Sequence, residues 1–284
     1  MLNNIAKGTQ ETFVDREKLL NRLHIYKEAL ISAVLDELSR KRAYGCVSFD
    51  QTGSHTDMNY HSFLDSIYAI TEQFDKIDWL AISDFNGLRK LGIGLEKSMF
   101  TATGGVNTHK GLIFLQLFLL FAFLREIPFS DWTDYLVRFS RPLAADYERT
   151  EDFRSAKYLK LGIRDIRQLP LSGFADLFRL MKEYEEIIGQ MDHWDKNTRD
   201  DYLTLRIIEC FDDTTTIQRT NIQTLRKFQN LAGRICSAYR DRDTRASIMA
   251  EDLDQAYLAV RASSGGTADL FTSIRTLQYL RRKI

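Results

Sequence analysis

The sequence predicts an all-α fold on three observations. Proline occurs only at Pro128, Pro142 and Pro170, which leaves long uninterrupted stretches. Those stretches are rich in Leu, Ala, Glu, Lys and Arg, residues that lose little on entering a helix. Their apolar side chains recur every three or four residues, the period of an amphipathic helix. Hydrophobic residues make up 44% of the 284, enough for a sizeable core. We expect one globular multi-helix domain spanning 1-284, built around a buried helix at about 112-124.

The first helix is expected over Asp15 to Leu38, where Leu19, Leu20, Leu23, Tyr26, Ala29, Leu30, Ala33, Val34 and Leu38 follow the three-and-four spacing of an amphipathic helix and His24 lies on the surface. Gly45, Gly53 and the polar residues around them mark Tyr44 to Tyr60 as a loop. The next helix then starts near Asp57 or Asn59, which sets His55 and Asp57 at its N-terminal edge. Such a pair suits proton transfer, metal binding or plain capping, and the residues alone leave all three open. A charged connector ends near Asn86-Gly87, and a helix follows over Leu91 to Thr103 with Glu96 turned toward its C-terminal end.

The densest signal is Gly104-Gly105-Val106-Asn107-Thr108-His109-Lys110-Gly111, a polar turn leading into the apolar run from Leu112 to Leu124. Glycines permit backbone angles closed to other residues, and Asn107 or Thr108 can cap the helix that follows. The unpaired N–H groups of that helix start, with Lys110 beside them, suit an anion such as phosphate. The run is interrupted only by Gln116 and is shorter than the ~18 to 20 residues needed to span a bilayer, so it is read as a core helix.

Helices with breaks at Pro128 and Pro142 are expected over Arg125 to Ile166, and the stretch Leu161 to Pro170 sets a glycine and two arginines just before a proline break, with Arg164 the candidate phosphate ligand. Further helices are expected over Phe174 to Ile188 and Arg199 to Phe211. Asp212 and Asp213 come next; adjacent carboxylates at a helix C-terminus need an offset such as a cation, an arginine or simple exposure, so Mg²⁺ is expected if they are buried, and if they are exposed Asp213 only caps the next helix. A second double glycine, Gly265-Gly266, with Asp269 three residues on, opens the terminal helix.

Acidic and basic residues balance at 39 each, which gives no footprint for nucleic acid or an acidic membrane surface, while a local anion site remains open. Cys46, Cys210 and Cys236 are too scattered for a zinc spacing or a disulfide framework. Met1 to Phe13 lacks the apolar stretch of a signal peptide, so a cytoplasmic location is expected.

Taken together, Gly53-Ser54-His55-Thr56-Asp57-Met58-Asn59, the segment from Glu96 to Gly111, Asp212-Asp213-Thr214 and Ser264-Gly265-Gly266-Thr267-Ala268-Asp269-Leu270 closely resemble the triphosphoribosyl-dephospho-CoA synthase family, from about Gly45 to Leu280. Two departures stand out. The early family signature survives only as Gly45 and Val47, with Ser48 where an acidic residue is usual and Asp50 nearby. The usual Asp-Asp-Thr-Asn reads Asp212-Asp213-Thr214-Thr215. The resemblance implies a helical transferase acting on ATP and 3′-dephospho-CoA with release of adenine, serving citrate lyase or malonate decarboxylase. It would work with citrate lyase maturation proteins as possible partners. It further implies Mg²⁺ held by Asp212, Asp213 and Asp269, with Asp57 a further candidate. Gly104, Gly105, Asn107, Thr108, His109, Lys110, Arg164, Gly265 and Gly266 would bind the nucleotide and its phosphates, and His55, Glu96 and Asp57 are the catalytic candidates. Two rival expectations are a helical Mg²⁺-dependent N-glycoside hydrolase and a non-catalytic nucleotide-binding partner in citrate lyase maturation.

Overall fold

The computed structural model describes residues 16–149 and 158–283, and all regular elements among them are helical. The reading of Met1 to Phe13, and residues 150–157 of the stretch after Arg125, lie outside the described residues.

Helix α1 (Arg16–Leu38) buries Leu19, Leu23, Tyr26, Ala29, Leu30, Ala33, Val34 and Leu38, the predicted stripe without Leu20, which sits beside it and is exposed, as is His24. A loop leads to α2 (Tyr60–Phe74), whose start is fixed by a capping box: Asn59 Oδ1 accepts from the N–H groups of His61 and Ser62, and Ser62 Oγ accepts from the Asn59 N–H. Helix α3 (Phe85–Ala102) begins six residues before the expected Leu91. Asp84 caps it by accepting from the Gly87 N–H, so the glycine read as a connector lies in the first helical turn.

Helix α4 (Lys110–Leu124) is the apolar run, and every residue from Leu112 to Leu124 is buried except the half-buried Phe114. Burial of an aliphatic or aromatic side chain is worth roughly 1.5–3 kcal/mol. Gln116, its one polar interruption, is satisfied on two sides: Tyr26 Oη of α1 donates to Oε1 at 2.6 Å, and Nε2 donates to Ser273 Oγ at 3.1 Å. A buried amide so paired fixes the rotation of α4 between its neighbours.

After α5 (Trp132–Ser140) and α6 (Ala144–Arg149), a 3₁₀ segment over Ile166–Ser172 leads to α7 (Ala175–Gln190) and α8 (Lys196–Cys210). A short α9 (Thr214–Arg219) precedes α10 (Ile222–Arg240), α11 (Ala246–Ala259) and α12 (Gly265–Lys283). Helix α12 packs along α1 and also touches α4, α8 and α9. Buried ion pairs join these layers, with Asp200 of α8 bonded to Arg275 of α12 and Asp201 to Arg42 of the early loop. Among the described residues, no helix is long and apolar enough to cross a membrane.

Candidate active site

Four segments far apart in sequence line one cavity of about 610 Å³: the early loop at Cys46 and His55, the start of α4, the start of α9, and Ser263 to Thr272 at the start of α12. A volume of that size lies within the usual range for a ligand site, roughly 300 to 1,000 Å³.

The walls are rich in hydrogen-bond donors, because the N-termini of α4 and α12 open onto them. The N–H groups of Gly111, Gly265 and Gly266 have no acceptor among the described residues. Thr108 Oγ1 is buried, lines the cavity and has no partner among the described residues. Such an orphaned hydroxyl calls for a ligand or water. Lys110 and Arg167 supply full positive charge; Lys110 Nζ is paired with Glu96 Oε2 at 2.8 Å, whereas the Arg167 guanidinium makes no ion pair among the described residues.

The glycine pair before α4 does something different from what its sequence suggests. Gly104 and Gly105 are exposed, have positive φ of 65° and 93°, and end α3: the Gly105 N–H donates to the Phe100 carbonyl at 2.7 Å. Neither residue lines the cavity, and the wall begins at Asn107. Asn107 Oδ1 accepts from the Lys110 N–H at 3.2 Å, although the N-cap position itself is His109, whose side chain makes no capping bond. Gly111 is needed for close approach: a Cβ there would sit 2.0 Å from Asp269 Oδ2.

The acidic pair is bound up in the protein. Asp213 is buried; its Oδ1 accepts from the N–H groups of Thr215 and Thr216 at the start of α9, and its Oδ2 accepts from the N–H and hydroxyl of Thr267 at the start of α12. Those bonds use the roughly four acceptor positions of a carboxylate. Burial pushes its carboxyl upward and the same donors oppose the shift. Asp212 accepts from Arg226 at 2.5 Å, from Gln229 at 3.1 Å and from the Arg164 N–H at 2.9 Å. Asp212, Asp213 and Asp269 are therefore not gathered into a metal cluster, and no group of three or more His, Cys, Asp or Glu among the described residues is arranged to hold a metal ion. Of the three, Asp269 lines the cavity. Burial drives its carboxyl well above the usual range, the charges of Asp213 and Glu37 add to the shift, and Arg167 and the Leu112 N–H act against it.

His55 lines the cavity with its ring held at both nitrogens. Arg219 Nη2 lies 3.0 Å from Nδ1 and Ser263 Oγ lies 3.0 Å from Nε2. An arginine only donates, so Nδ1 accepts and the proton sits on Nε2, directed at Ser263. Burial first, then the Arg219 charge, lowers its basicity, while Asp57 raises it. Asp57 is largely exposed, 3.8 Å from Nδ1, and is not part of the cavity wall. His109, also in the cavity wall, is buried, with Nδ1 2.7 Å from Ser66 Oγ and its ring perpendicular to that of Phe63. Burial lowers it to about 3, so it is neutral at ordinary pH. Cys46 is a neutral thiol, pushed up to about 11 by burial, with its Sγ near Ser263 and Ser264.

Arg167 and Glu37 are among the cavity residues that the sequence does not single out. Arg167, rather than the exposed Arg164, faces the cavity; both lie in the same short segment, and which one turns inward depends on the 3₁₀ geometry that begins at Ile166. Glu37, at the end of α1, lines the cavity bonded to the buried Arg40, and its period alone marked it as an ordinary helix position. Ser48 is buried, with its N–H donating to the Gln51 carbonyl, and the exposed Asp50 does not reach the cavity; Cys46 and Val47 form that part of the wall.

A family model described as "CitG: ATP:dephospho-CoA triphosphoribosyl transferase" matches residues 25–283. A probable 2-(5''-triphosphoribosyl)-3'-dephosphocoenzyme-A synthase of Streptococcus mutans is 41% identical over 98 residues, covering 32% of this chain and 33% of that protein. Its counterpart in Streptococcus pyogenes is 38% identical over 100 residues, with shares of 32% and 33%. Protein CitXG of Leuconostoc mesenteroides is 27% identical over 267 residues, covering 85% of this chain and 56% of that protein. Aligned, the chain thus spans 33% of each of these streptococcal relatives and 56% of the Leuconostoc one. No solved structure matches.

Proposed function

Because the chain belongs to the ATP:dephospho-CoA triphosphoribosyl transferase family, we propose that it moves the triphosphoribosyl group of ATP onto 3′-dephospho-CoA and releases adenine. The bond between adenine and the ribose anomeric carbon breaks, a ribose hydroxyl of dephospho-CoA bonds to that carbon, the hydroxyl loses its proton and adenine gains one. The product would be the precursor of the prosthetic group on the acyl-carrier subunit of citrate lyase, or of its malonate decarboxylase counterpart.

The observation that carries this reading is the donor-lined cavity at the junction of the four separated segments. A triphosphate needs dense positive potential, and the starts of α4 and α12, with Lys110, supply it. Thr108 and His109 can orient neutral groups of the sugar or base. Fixed donors of this kind stabilise charge as it develops, typically the largest contribution to such catalysis. His55 and Glu96 are the candidates for proton transfer; His55 lines the cavity with its Nε2 held by Ser263, and Glu96, paired with Lys110, lies outside this wall and lines the adjoining cavity.

Mg²⁺ usually keeps several waters and binds through substrate phosphates and one or two carboxylates. Asp269 fits that modest demand, since its buried carboxyl beside Glu37 would be relieved by a divalent cation. The ion would supply neutralisation of the triphosphate. On this reading the protein works in the cytoplasm, where both substrates are available, and its product passes to the proteins that mature citrate lyase.

The test is adenine release from ATP, followed with and without dephospho-CoA. Release that requires the acceptor, with a product heavier by one triphosphoribosyl group, is expected. Release that ignores the acceptor would make the protein a hydrolase, and binding of ATP without any release would make it a non-catalytic partner.

A further inference from the structure

A second cavity, of about 200 Å³, adjoins the first, and Lys110 and Arg167 line both. Its character is opposite: Phe85, Ile93, Ile113, Phe114, Phe118 and Leu143 make it apolar, between α3, α4 and the start of α6. Two ion pairs border it, Arg89 with Asp146 at 2.5 Å and Lys110 with Glu96 at 2.8 Å. At its edge Ile93 is 65% exposed, apolar surface that gains by being covered.

We propose that this recess holds the pantetheine arm of dephospho-CoA, with the pyrophosphate of that molecule at Arg167, its ribose in the donor-lined cavity, and Lys110 left to the triphosphate of ATP. The inference rests on the transferase reading and identifies where the acceptor lies. Dephospho-CoA runs from a polar nucleoside through a charged pyrophosphate to an arm of methyl, methylene and amide groups. The protein offers a polar cavity, the Arg167 guanidinium at the boundary and an apolar recess in the same order. Small-molecule sites of this sort combine apolar walls with a few placed polar groups, and the Arg89, Asp146 and Glu96 side chains at the border can serve the arm's amides. The competing occupant is the adenine of ATP, which would stack on the phenylalanine rings.

The probe is 4′-phosphopantetheine, which carries the arm and a phosphate but no nucleoside. Two variants obstruct the recess without touching the phosphate cations. Gly92→Phe fills it from α3, where an added Cβ meets only the flexible Leu117 Cδ1 at 3.1 Å. Ile93→Asp places a charge at the exposed edge and leaves the core alone. In calorimetry, 4′-phosphopantetheine is expected to compete with dephospho-CoA and not with ATP. Both variants should weaken 4′-phosphopantetheine and dephospho-CoA about tenfold while leaving ATP affinity unchanged. Failure of the probe to displace dephospho-CoA, or unaltered binding in both variants, would overturn the proposal. A loss confined to ATP, or equal for ATP and the acceptor, would assign the recess to adenine. These binding measurements need no turnover, so wild-type protein that binds as described yet never releases adenine would sink the transferase reading and leave the recess assignment standing.

Discussion

Asp213 shows how one side chain can organise a site from behind. Its two oxygens accept from the first N–H groups of α9 and from Thr267 of α12, tying together two helix starts that form part of the cavity wall. Losing a cap costs about 0.5–2 kcal/mol, and stranding buried donors costs about 1–3 kcal/mol each. Asp213→Ala is therefore expected to lower the unfolding free energy by about 2 kcal/mol or more, read from urea denaturation; an unchanged midpoint would show that the caps contribute nothing. Lys110 makes a different contribution. Its pair with Glu96 is partly exposed, and such pairs are worth about 0–1 kcal/mol. Lys110→Ala should leave stability nearly intact while weakening ATP about tenfold in calorimetry, the size expected for one lost charge-assisted contact. Undiminished ATP affinity would remove Lys110 from the phosphate site.

At the scale of elements, the burial of α4 follows from its composition, since a run of apolar residues on every face has no surface to present to water. Leu119 on this helix is fully buried. Leu119→Ala should cost about 2–5 kcal/mol, measured by chemical denaturation, and a loss well below that range would mean the neighbouring helices collapse into the gap. The helix was thus legible in the sequence; the uses of the polar residues around it were less so. A glycine pair before a helix is compatible with a phosphate loop or with termination of the preceding helix, and Gly104-Gly105 performs the second task while Asn107 to Gly111 face the cavity. Adjacent aspartates are likewise compatible with a metal or with caps and ion pairs, and Asp212 and Asp213 are engaged in the latter. Residue type constrained the chemistry in both cases, but the orientation of each side chain depends on contacts made by residues as distant as Arg226 and Thr267. Arg167 was missed for the same reason: only the 3₁₀ turn decides which arginine of its segment points inward.

At the scale of the whole molecule, the donor-lined cavity couples the site to acid stability through His109. Its ring is buried in the wall between α2 and α4, with Ser66 on Nδ1 and the Phe63 ring perpendicular to it, and burial lowers it to about 3. The unfolded chain carries an ordinary imidazole near 6.5, so below that pH the unfolded state binds a proton that the folded state refuses. Stability contributed by the neutral ring is present above about 6.5 and is lost progressively as the pH falls toward 3, with a limiting slope of about 1.4 kcal/mol per pH unit. His55 is lowered as well, by burial and Arg219, and acts in the same direction. The two are separated by substitution. His109→Gln keeps a polar group of similar reach opposite Ser66 and cannot titrate, so its urea midpoint should fall less steeply than that of the wild type between pH 6.5 and pH 4.5. Parallel slopes for the two proteins would mean that His109 takes up its proton in the folded state, and with it that the cavity wall is open enough to hydrate an imidazolium.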